Sequence, residues 1–348
     1  MSEHHRIDKQ DPEFEIAEPV SVVIPTYNES RYIDACLESV SRQIYGLDRL
    51  EVLVIDGGSE DDTLRKADQW RNRIPRLRIL ENPGRHQSVA LNIGLREASN
   101  DIIVRLDAHC LYAEDYVERC VAALHRTGAT MVGGPMRPQG DTKFSEAVAE
   151  ATTSKMGIGT GKFHYSDNEE YVDTVFLGAF RREEISALGG YDESIRPTGE
   201  DHELNYRITK AGGSVLLDPT IRSVYFPRGD GRSLWKQYWS YGQGKVSTLV
   251  KHGSLPTWRP LAPALFALWL VALPLSLPSA TVRGGNAVVA LIYVLLTGGA
   301  AMLRSRLRPV LAARIVVAFA IMHASYGLGF LQALVAAVAR RCIPRSGD

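Results

Sequence analysis

The sequence predicts an α/β fold, a doubly wound sheet followed by a C-terminal helical transmembrane region. Two observations carry this. Short apolar runs alternate with amphipathic segments through the first 228 residues, and from Arg259 onward the chain is almost uniformly apolar. Charge supports the division. Across 348 residues Lys plus Arg and Asp plus Glu both number 40, yet residues 259–348 hold nine Arg, no Lys and one acid, Asp348. The front of the chain is therefore acidic, and such asymmetry indicates attachment to a membrane. Zero net charge excludes a simple basic nucleic-acid binder, so no nucleic-acid partner is expected. An apolar content of 45% excludes wholesale disorder.

Val20–Pro25 is short and apolar, as a buried parallel strand is. Ser30 is expected to cap a helix that presents Ile33, Leu37, Val40 and Ile44 on one face. Leu50–Asp56 is the next strand, followed by Ser59 and a helix through Leu64, Ala67 and Trp70. Leu77–Leu80 is a third strand. A helix around Ser88–Ala98 leads to a strand at Ile102–Leu106. Strands separated by helices form a parallel sheet, and ligands bind at the carboxyl ends of its strands. Polar residues gather there: Thr26-Tyr27-Asn28-Glu29, Asp56-Gly57-Gly58-Ser59 and Asp107-Ala108-His109. Neither a GxGxxG nor a Walker A sequence follows a strand, which argues against a dinucleotide oxidoreductase or a P-loop NTPase.

Three apolar stretches follow, at about Leu261–Ala280, Ala287–Leu303 and Ile315–Val338. Each approaches the ~20 helical residues that a bilayer requires. Arg304, Arg306, Arg308 and Arg314 are expected on the cytoplasmic side, as are Arg340, Arg341 and Arg345. Three full spans cannot satisfy both groups. Two can, if the first stretch, broken by Pro263, Pro274 and Pro278, dips in and returns. His323 in the third stretch is expected to hydrogen-bond between helices. The first 18 residues form a flexible tail without a signal-peptide apolar region. Cys36, Cys110, Cys120 and Cys342 match no metal pattern and read as reduced packing residues.

Three clusters carry chemistry. The D-x-H at Asp107 and His109 offers a carboxylate and an imidazole on one face of an extended segment, enough to share one divalent cation with phosphate oxygens; a plain turn is the alternative. Asp56 precedes two glycines that admit a ligand closely, and Ser59 beside it also suits a helix cap. Gly199-Glu200-Asp201-His202-Glu203 places acids at a helix N-terminus, where the dipole favours them, or supplies a general base.

In order, Val22-Val23-Ile24-Pro25-Thr26-Tyr27-Asn28-Glu29, Val54-Ile55-Asp56-Gly57-Gly58-Ser59, Val104-Arg105-Leu106-Asp107-Ala108-His109, Gly189-Gly190-Tyr191-Asp192-Glu193 and Gly199-Glu200-Asp201 resemble the family 2 glycosyltransferases, which have the nucleotide-sugar-binding GT-A fold. The resemblance covers roughly residues 19–228. With the apolar tail and Tyr241-Gly242-Gln243-Gly244-Lys245 it is most similar to the bacterial exopolysaccharide glucosyltransferases of the succinoglycan type. It implies that Pro25, Thr26, Tyr27, Glu29 and Gly58 line the nucleotide pocket, that Asp56 bonds the uracil edge, and that Asp107 binds diphosphate through Mg²⁺ or Mn²⁺, with His109 beside it. Asp201, with Glu200, would be the base that deprotonates the acceptor. Where many members carry Ala-Arg-Asn this chain has Ala90-Leu91-Asn92, and Arg85 stands in as the cation. The Gln-x-x-Arg-Trp motif of processive synthases is absent.

The implied reaction moves a hexose from a UDP-sugar donor to a polyprenyl-diphosphate-linked saccharide at the bacterial inner membrane, with inversion. A polyprenyl-phosphate sugar synthase and a non-catalytic scaffold of an assembly complex are the alternatives. Residues 229–258, rich in Trp, Tyr and Lys, are expected either to lie on membrane lipid or to pack under the catalytic domain. Residues 259–348 form the anchor, with two to three spans. Lys245 is a candidate phosphate contact.

Overall fold

The computed structural model describes residues 18–254, 257–276 and 279–342; the expected tail apart from Glu18, and Pro278 and Arg345, lie outside them. Strands β1 (Val20–Thr26), β2 (Leu50–Asp56), β3 (Leu77–Glu81) and β4 (Ile102–Arg105) are parallel, in the spatial order β3-β2-β1-β4. Helices α1 (Ile33–Ser41), α2 (Thr63–Gln69) and α3 (Gln87–Glu97) connect them. After β5 (Cys110–Tyr112), helix α4 (Tyr116–Thr127), β6 (Met131–Gly134) and β7 (Met136–Pro138), the pattern changes. Helix α5 (Lys143–Thr152), the short α6 (Lys155–Ile158) and β8 (Glu170–Tyr171) precede β9 (Phe176–Arg181). β9 runs antiparallel to both β4 and β6. Helices α7 (Arg182–Ala187) and α8 (Glu200–Lys210) lead to β10 (Val215–Leu217), which pairs with β6 and β8. The eight-stranded sheet is thus parallel in its first half and mixed in its second. Strand β11 (Ser223–Tyr225) joins β5 and β7 in a separate three-stranded sheet.

Strand alternation sorts the core into two layers. Val22, Ile24, Val52, Val54 and Val104 pack with Ile33, Leu37 and Val40 of α1 and with α4. Val23, Leu53, Ile55 and Ile103 pack with Leu91 and Leu95 of α3 and Leu204 and Ile208 of α8. Each fully buried Ile or Leu contributes ~1.5–3 kcal/mol.

Three local expectations are corrected. Helix α1 starts at Ile33 with Tyr32 at its N-cap and no side-chain cap; Ser30 lies before it, its amide donating to Asp61 Oδ2 (3.2 Å). Ile44 lies beyond the end of α1 and is exposed. Ser59 does not cap α2; its hydroxyl donates to Asp56 Oδ1 (2.5 Å).

Beyond the sheets lies a helical layer. Helix α9 (Gly231–His252) is capped by Asp230, whose Oδ1 accepts from the Ser233 amide (2.9 Å). It is followed by α10 (Leu261–Ala272), α11 (Ala280–Arg304) and α12 (Pro309–Cys342). At 12 residues α10 is ~18 Å long, too short to cross a ~30 Å hydrocarbon core. Among the described residues two helices, Ala280–Arg304 and Pro309–Arg340, are long and apolar enough to cross. Helix α12 lies along α9: a Cβ on Gly242 would stand 2.1 Å from the Tyr326 carbonyl oxygen, and one on Gly329 would stand 2.3 Å from that of Trp239. Small residues permit this contact between backbones. Arg304 pairs with Glu150 (2.7 Å) and Arg308 with Glu146 (3.2 Å), tying the α11–α12 turn to α5. His323 behaves as expected: one ring nitrogen contacts the Tyr293 hydroxyl on α11 (2.9 Å) and the other the Met156 carbonyl on α6 (2.9 Å).

Candidate active site

Strand register places the site. Thr26 and Asp56 are partners at the ends of β1 and β2, and Val23 pairs with Arg105 near the end of β4. The two loops beyond β1 and β2 are locked together. The Asn28 amide donates to Ser59 Oγ (2.8 Å), the Glu60 amide to Asn28 Oδ1 (2.9 Å) and the Glu29 amide to Thr63 Oγ1 (2.8 Å). Tyr27 is left about half exposed above Gly57, Pro25 is partly exposed, and Thr26 is buried with an unpartnered hydroxyl. Asp56 is buried and forms its own turn, its Oδ2 accepting from the amides of Gly58 and Ser59 (both 2.8 Å). Gly58 has φ +77°, and a Cβ there would meet the Arg85 guanidinium at 3.4 Å. The candidates Asp56, Gly58 and Arg85 therefore form one patch.

Asp107 and His109 are not on an extended segment. Residues 108 and 109 form a turn between β4 and β5 in which the Cys110 amide donates to the Asp107 carbonyl (3.2 Å). His109 Nδ1 lies 3.2 Å from Glu29 Oε1. Burial disfavours its charge, but the Glu29 carboxylate outweighs burial and raises its pKa. This pairing joins two candidates from different strands. Asp107 is 14% exposed, and its Oδ1 is buried without a hydrogen-bond partner. Such an orphaned anionic oxygen suits a divalent cation. Among the described residues no cluster of three His, Cys, Asp or Glu accompanies it, so phosphate oxygens would have to complete the coordination.

Helix α8 begins at Gly199, in the left-handed region (φ +108°). Its first two residues separate by burial. Glu200 is almost fully buried, and burial first, then the Asp201 charge, push its carboxyl up to about 7, with Arg105 opposing. Asp201 is 42% exposed and accepts from the His202 amide (2.7 Å). One carboxyl is thus held toward the neutral form and its neighbour is open to a ligand.

Between them sits a residue to which the sequence reading gave no role. Alternation puts Arg105 on the face of β4 shared with Ile103, toward α3 and α8. Its side chain is 5% exposed. Nη2 lies 3.5 Å from Asp107 Oδ1 and Nη1 3.9 Å from Asp201 Oδ2. With the Gln87 amide oriented to satisfy both neighbours, its oxygen accepts from Arg105 Nη2 (2.6 Å) and its nitrogen donates to Glu200 Oε1 (3.3 Å). Arg105 Nε and Nη1 make no hydrogen bond. Each unmet N–H costs ~1–3 kcal/mol. The available signal was the charge itself, an Arg inside an otherwise apolar strand.

Helix α9 closes the far wall. Gln237 donates to the hydroxyls of Tyr225 (3.1 Å) and Tyr241 (3.0 Å). One turn on, Lys245 stands near Asp201, Asp173 and Arg259; burial lowers its pKa to about 8 while the two acids oppose the shift. Helix α9 packs against residues 192–203, Ser247 Oγ donating to the Arg196 carbonyl (2.7 Å) and Lys251 pairing with Glu203 (2.7 Å), and against α12. The expected cysteine roles fit: Cys36, Cys110 and Cys120 are buried and free; the Cys342 side chain is outside the described residues. A separate cleft of about 370 Å³ is lined by Asn92, Tyr191, Asp192, Arg207 and Lys251. Its charges pair internally, Lys251 with Asp192 and Glu203 and Arg207 with Glu203.

A half-parallel, half-mixed sheet with acids and loop glycines at its strand ends is the architecture of a nucleotide-sugar transferase. The chain belongs to glycosyl transferase family 2, whose profile matches residues 21–189. It is 33% identical to the succinoglycan biosynthesis protein ExoA of Rhizobium meliloti (strain 1021) over 327 residues, 90% of this chain and 94% of that one. It is 31% identical to the glycosyltransferase AglE of Haloferax volcanii, over 65% of this chain and 73% of the relative. Among solved structures it resembles the mannosyltransferase PcManGT from Pyrobaculum calidifontis, in complex with GDP-Man and Mn²⁺. That likeness has a TM-score of 0.58 at 23% identity and covers 88% of this chain and 87% of the other, which supports the GT-A fold.

Proposed function

We propose that the chain is a membrane-attached, metal-dependent inverting hexosyltransferase. In this reading it moves a hexose, glucose in the first instance, from a UDP-sugar to a polyprenyl-diphosphate-linked saccharide in cell-surface polysaccharide synthesis. The observation that carries the reading is the opposition of Asp107 and Asp201 across Arg105 at the strand ends: one carboxylate with an orphaned oxygen, the other open to an acceptor. The similarity to ExoA supports the polysaccharide context. A relative from Methanococcus voltae, named as a dolichyl N-acetyl-α-D-glucosaminyl phosphate glucuronosyltransferase, supports a lipid-linked acceptor.

The nucleotide rests on the Tyr27–Glu29 loop and the Asp56–Gly58–Arg85 patch. Asp56 Oδ1 keeps lone-pair capacity toward a base edge. Asp107 would hold Mg²⁺ or Mn²⁺ beside the diphosphate, and the cation would supply charge neutralisation for the leaving group. Asp201 accepts the proton of the acceptor hydroxyl as that oxygen bonds the anomeric carbon. The bond from that carbon to the β-phosphate oxygen breaks, and UDP departs. One displacement from the opposite side inverts the configuration, so an α-linked donor gives a β-linkage. The pairs made by Arg304 and Arg308 with α5 place the α11–α12 turn on the catalytic side, supporting a cytoplasmic catalytic domain at the inner membrane.

The test is release of nucleotide from a panel of sugar nucleotides by membranes containing the protein, with and without Mn²⁺ and a lipid extract. UDP release from one donor, dependent on metal and raised by lipid, is the expected result. Transfer to the lipid phosphate itself, giving a single acid-labile sugar, would replace this reading with the polyprenyl-phosphate synthase. No release from any donor would leave the scaffold.

A further inference from the structure

The buried guanidinium of Arg105 is not required by the proposed chemistry, yet the site is built around it. It lies on the floor between Asp107 and Asp201, 3.5 Å from the first and 3.9 Å from the second. Gln87 takes one of its N–H groups, and Tyr191 stands against it in the core layer below. Nε and Nη1 remain without acceptors although the side chain is almost completely enclosed. Buried polar groups are rarely left unpaired, and the exceptions mark strain, a catalytic role or a bound water or ion. Nη1 is the nitrogen on the Asp201 side. In a displacement the reacting hexose must lie between the leaving-group anchor and the base. A hexose between them would pass on the Nη1 side of the guanidinium, and sugar hydroxyls are acceptors that suit an arginine fork.

We propose that Arg105 is a donor-sugar-binding residue that gives a charge-assisted hydrogen bond to a hydroxyl of the transferred hexose, and so helps select it. This deepens the hexosyltransferase reading and rests on it. The contact is to the sugar and not to the diphosphate: Nη2, on the Asp107 side, is taken by the Gln87 oxygen, whereas Nη1 faces the Asp201 carboxylate at 3.9 Å without a hydrogen bond.

The experiment measures binding of UDP and of UDP-glucose, with Mn²⁺, to the detergent-solubilised full chain, for wild type, Arg105→Lys and Arg105→Gln. The wild type is expected to bind UDP-glucose more tightly than UDP. Arg105→Gln should keep UDP affinity within about twofold and lose about tenfold or more of the advantage conferred by the sugar, the value of one charged hydrogen bond. Deoxy-glucose analogues of the donor should lose affinity at one position in the wild type and at none in the variant. Arg105→Lys should keep a fraction of the advantage, and it serves if Arg105→Gln fails to fold. Equal loss of UDP and UDP-glucose would make Arg105 a phosphate or structural group and overturn the proposal. Full retention of sugar discrimination by both variants would also overturn it. If wild type binds UDP but gains nothing from any hexose in a UDP-sugar panel, the sugar contact is wrong while the nucleotide site stands. If it binds no nucleotide at all, the transferase reading falls and takes this inference with it.

Discussion

A Cβ atom on Gly244 would stand 1.9 Å from the carbonyl oxygen of Thr198. Helix α9 thus touches the backbone of the turn that launches α8 and its acids, with no side chain between them. Gly244→Ala is expected to push that turn away from α9, costing about 1–3 kcal/mol of stability and at least about tenfold in transfer rate through misplacement of Asp201. Melting and transfer assays on the same preparation check this. Unchanged transfer would mean that the turn does not depend on α9.

Asp201→Asn would remove the proposed proton acceptor and keep the shape. Transfer should fall by about 10²–10⁴-fold while UDP affinity stays near wild type. Turnover like wild type would remove Asp201 from the role of base.

Asp107→Ala removes the orphaned oxygen. Mn²⁺ should then no longer strengthen UDP binding, and chelation of metal should make wild type resemble the variant. Calorimetric titration of UDP with and without Mn²⁺ reads both. A metal effect that survives in the variant would place the cation elsewhere.

Glu200 gives a pH prediction with a definite sign. Its folded pKa, about 7, lies above the ordinary 4.5. The protonated form therefore contributes stability that is fully present below pH 4.5 and lost as pH rises through 7. Glu200→Gln mimics the protonated form, so at pH 8 it should stabilise the fold by an amount on the order of 2 kcal/mol, and near pH 4.5 it should change little. Thermal melts at the two pH values decide; a gain confined to acid pH would reverse the assignment.

His323→Phe keeps the aromatic stacking on Phe319 and loses the contacts to Tyr293 and Met156. Stability in detergent should fall by about 1–2 kcal/mol. No loss on melting in micelles would show that the helical layer does not need the link.

The first half of the sheet was legible because each strand was a short apolar run ending in polar residues. β9 was harder to read: its antiparallel pairing with β4 and β6 is tertiary and leaves no local pattern. Ser30 and Ser59 have the residue type of helix caps, yet α1 begins after Tyr32, beyond Ser30, and the Ser59 hydroxyl is taken by Asp56 of its own turn. Asp107 could be named from its place after a strand, and Asp201 from the resemblance to the family 2 glycosyltransferases. Their relation could not, since the group between them, Arg105, is placed by strand alternation and by a helix a hundred residues away. The Glu29–His109 pair was hidden for the same reason: it bridges loops from β1 and β4.

Helix α9 has the turn that leads to Asp201 on one side and α12 on the other. One helix diameter, about 10–12 Å, thus separates the reacting centre from the apolar layer. Where that layer sits in a bilayer, the spacing acts as a ruler. If Asp201 is the base, a hydroxyl carried too near the lipid surface, or too far above it, would not meet it whatever its chemistry, and the reach of the acceptor chain would select substrate alongside its identity.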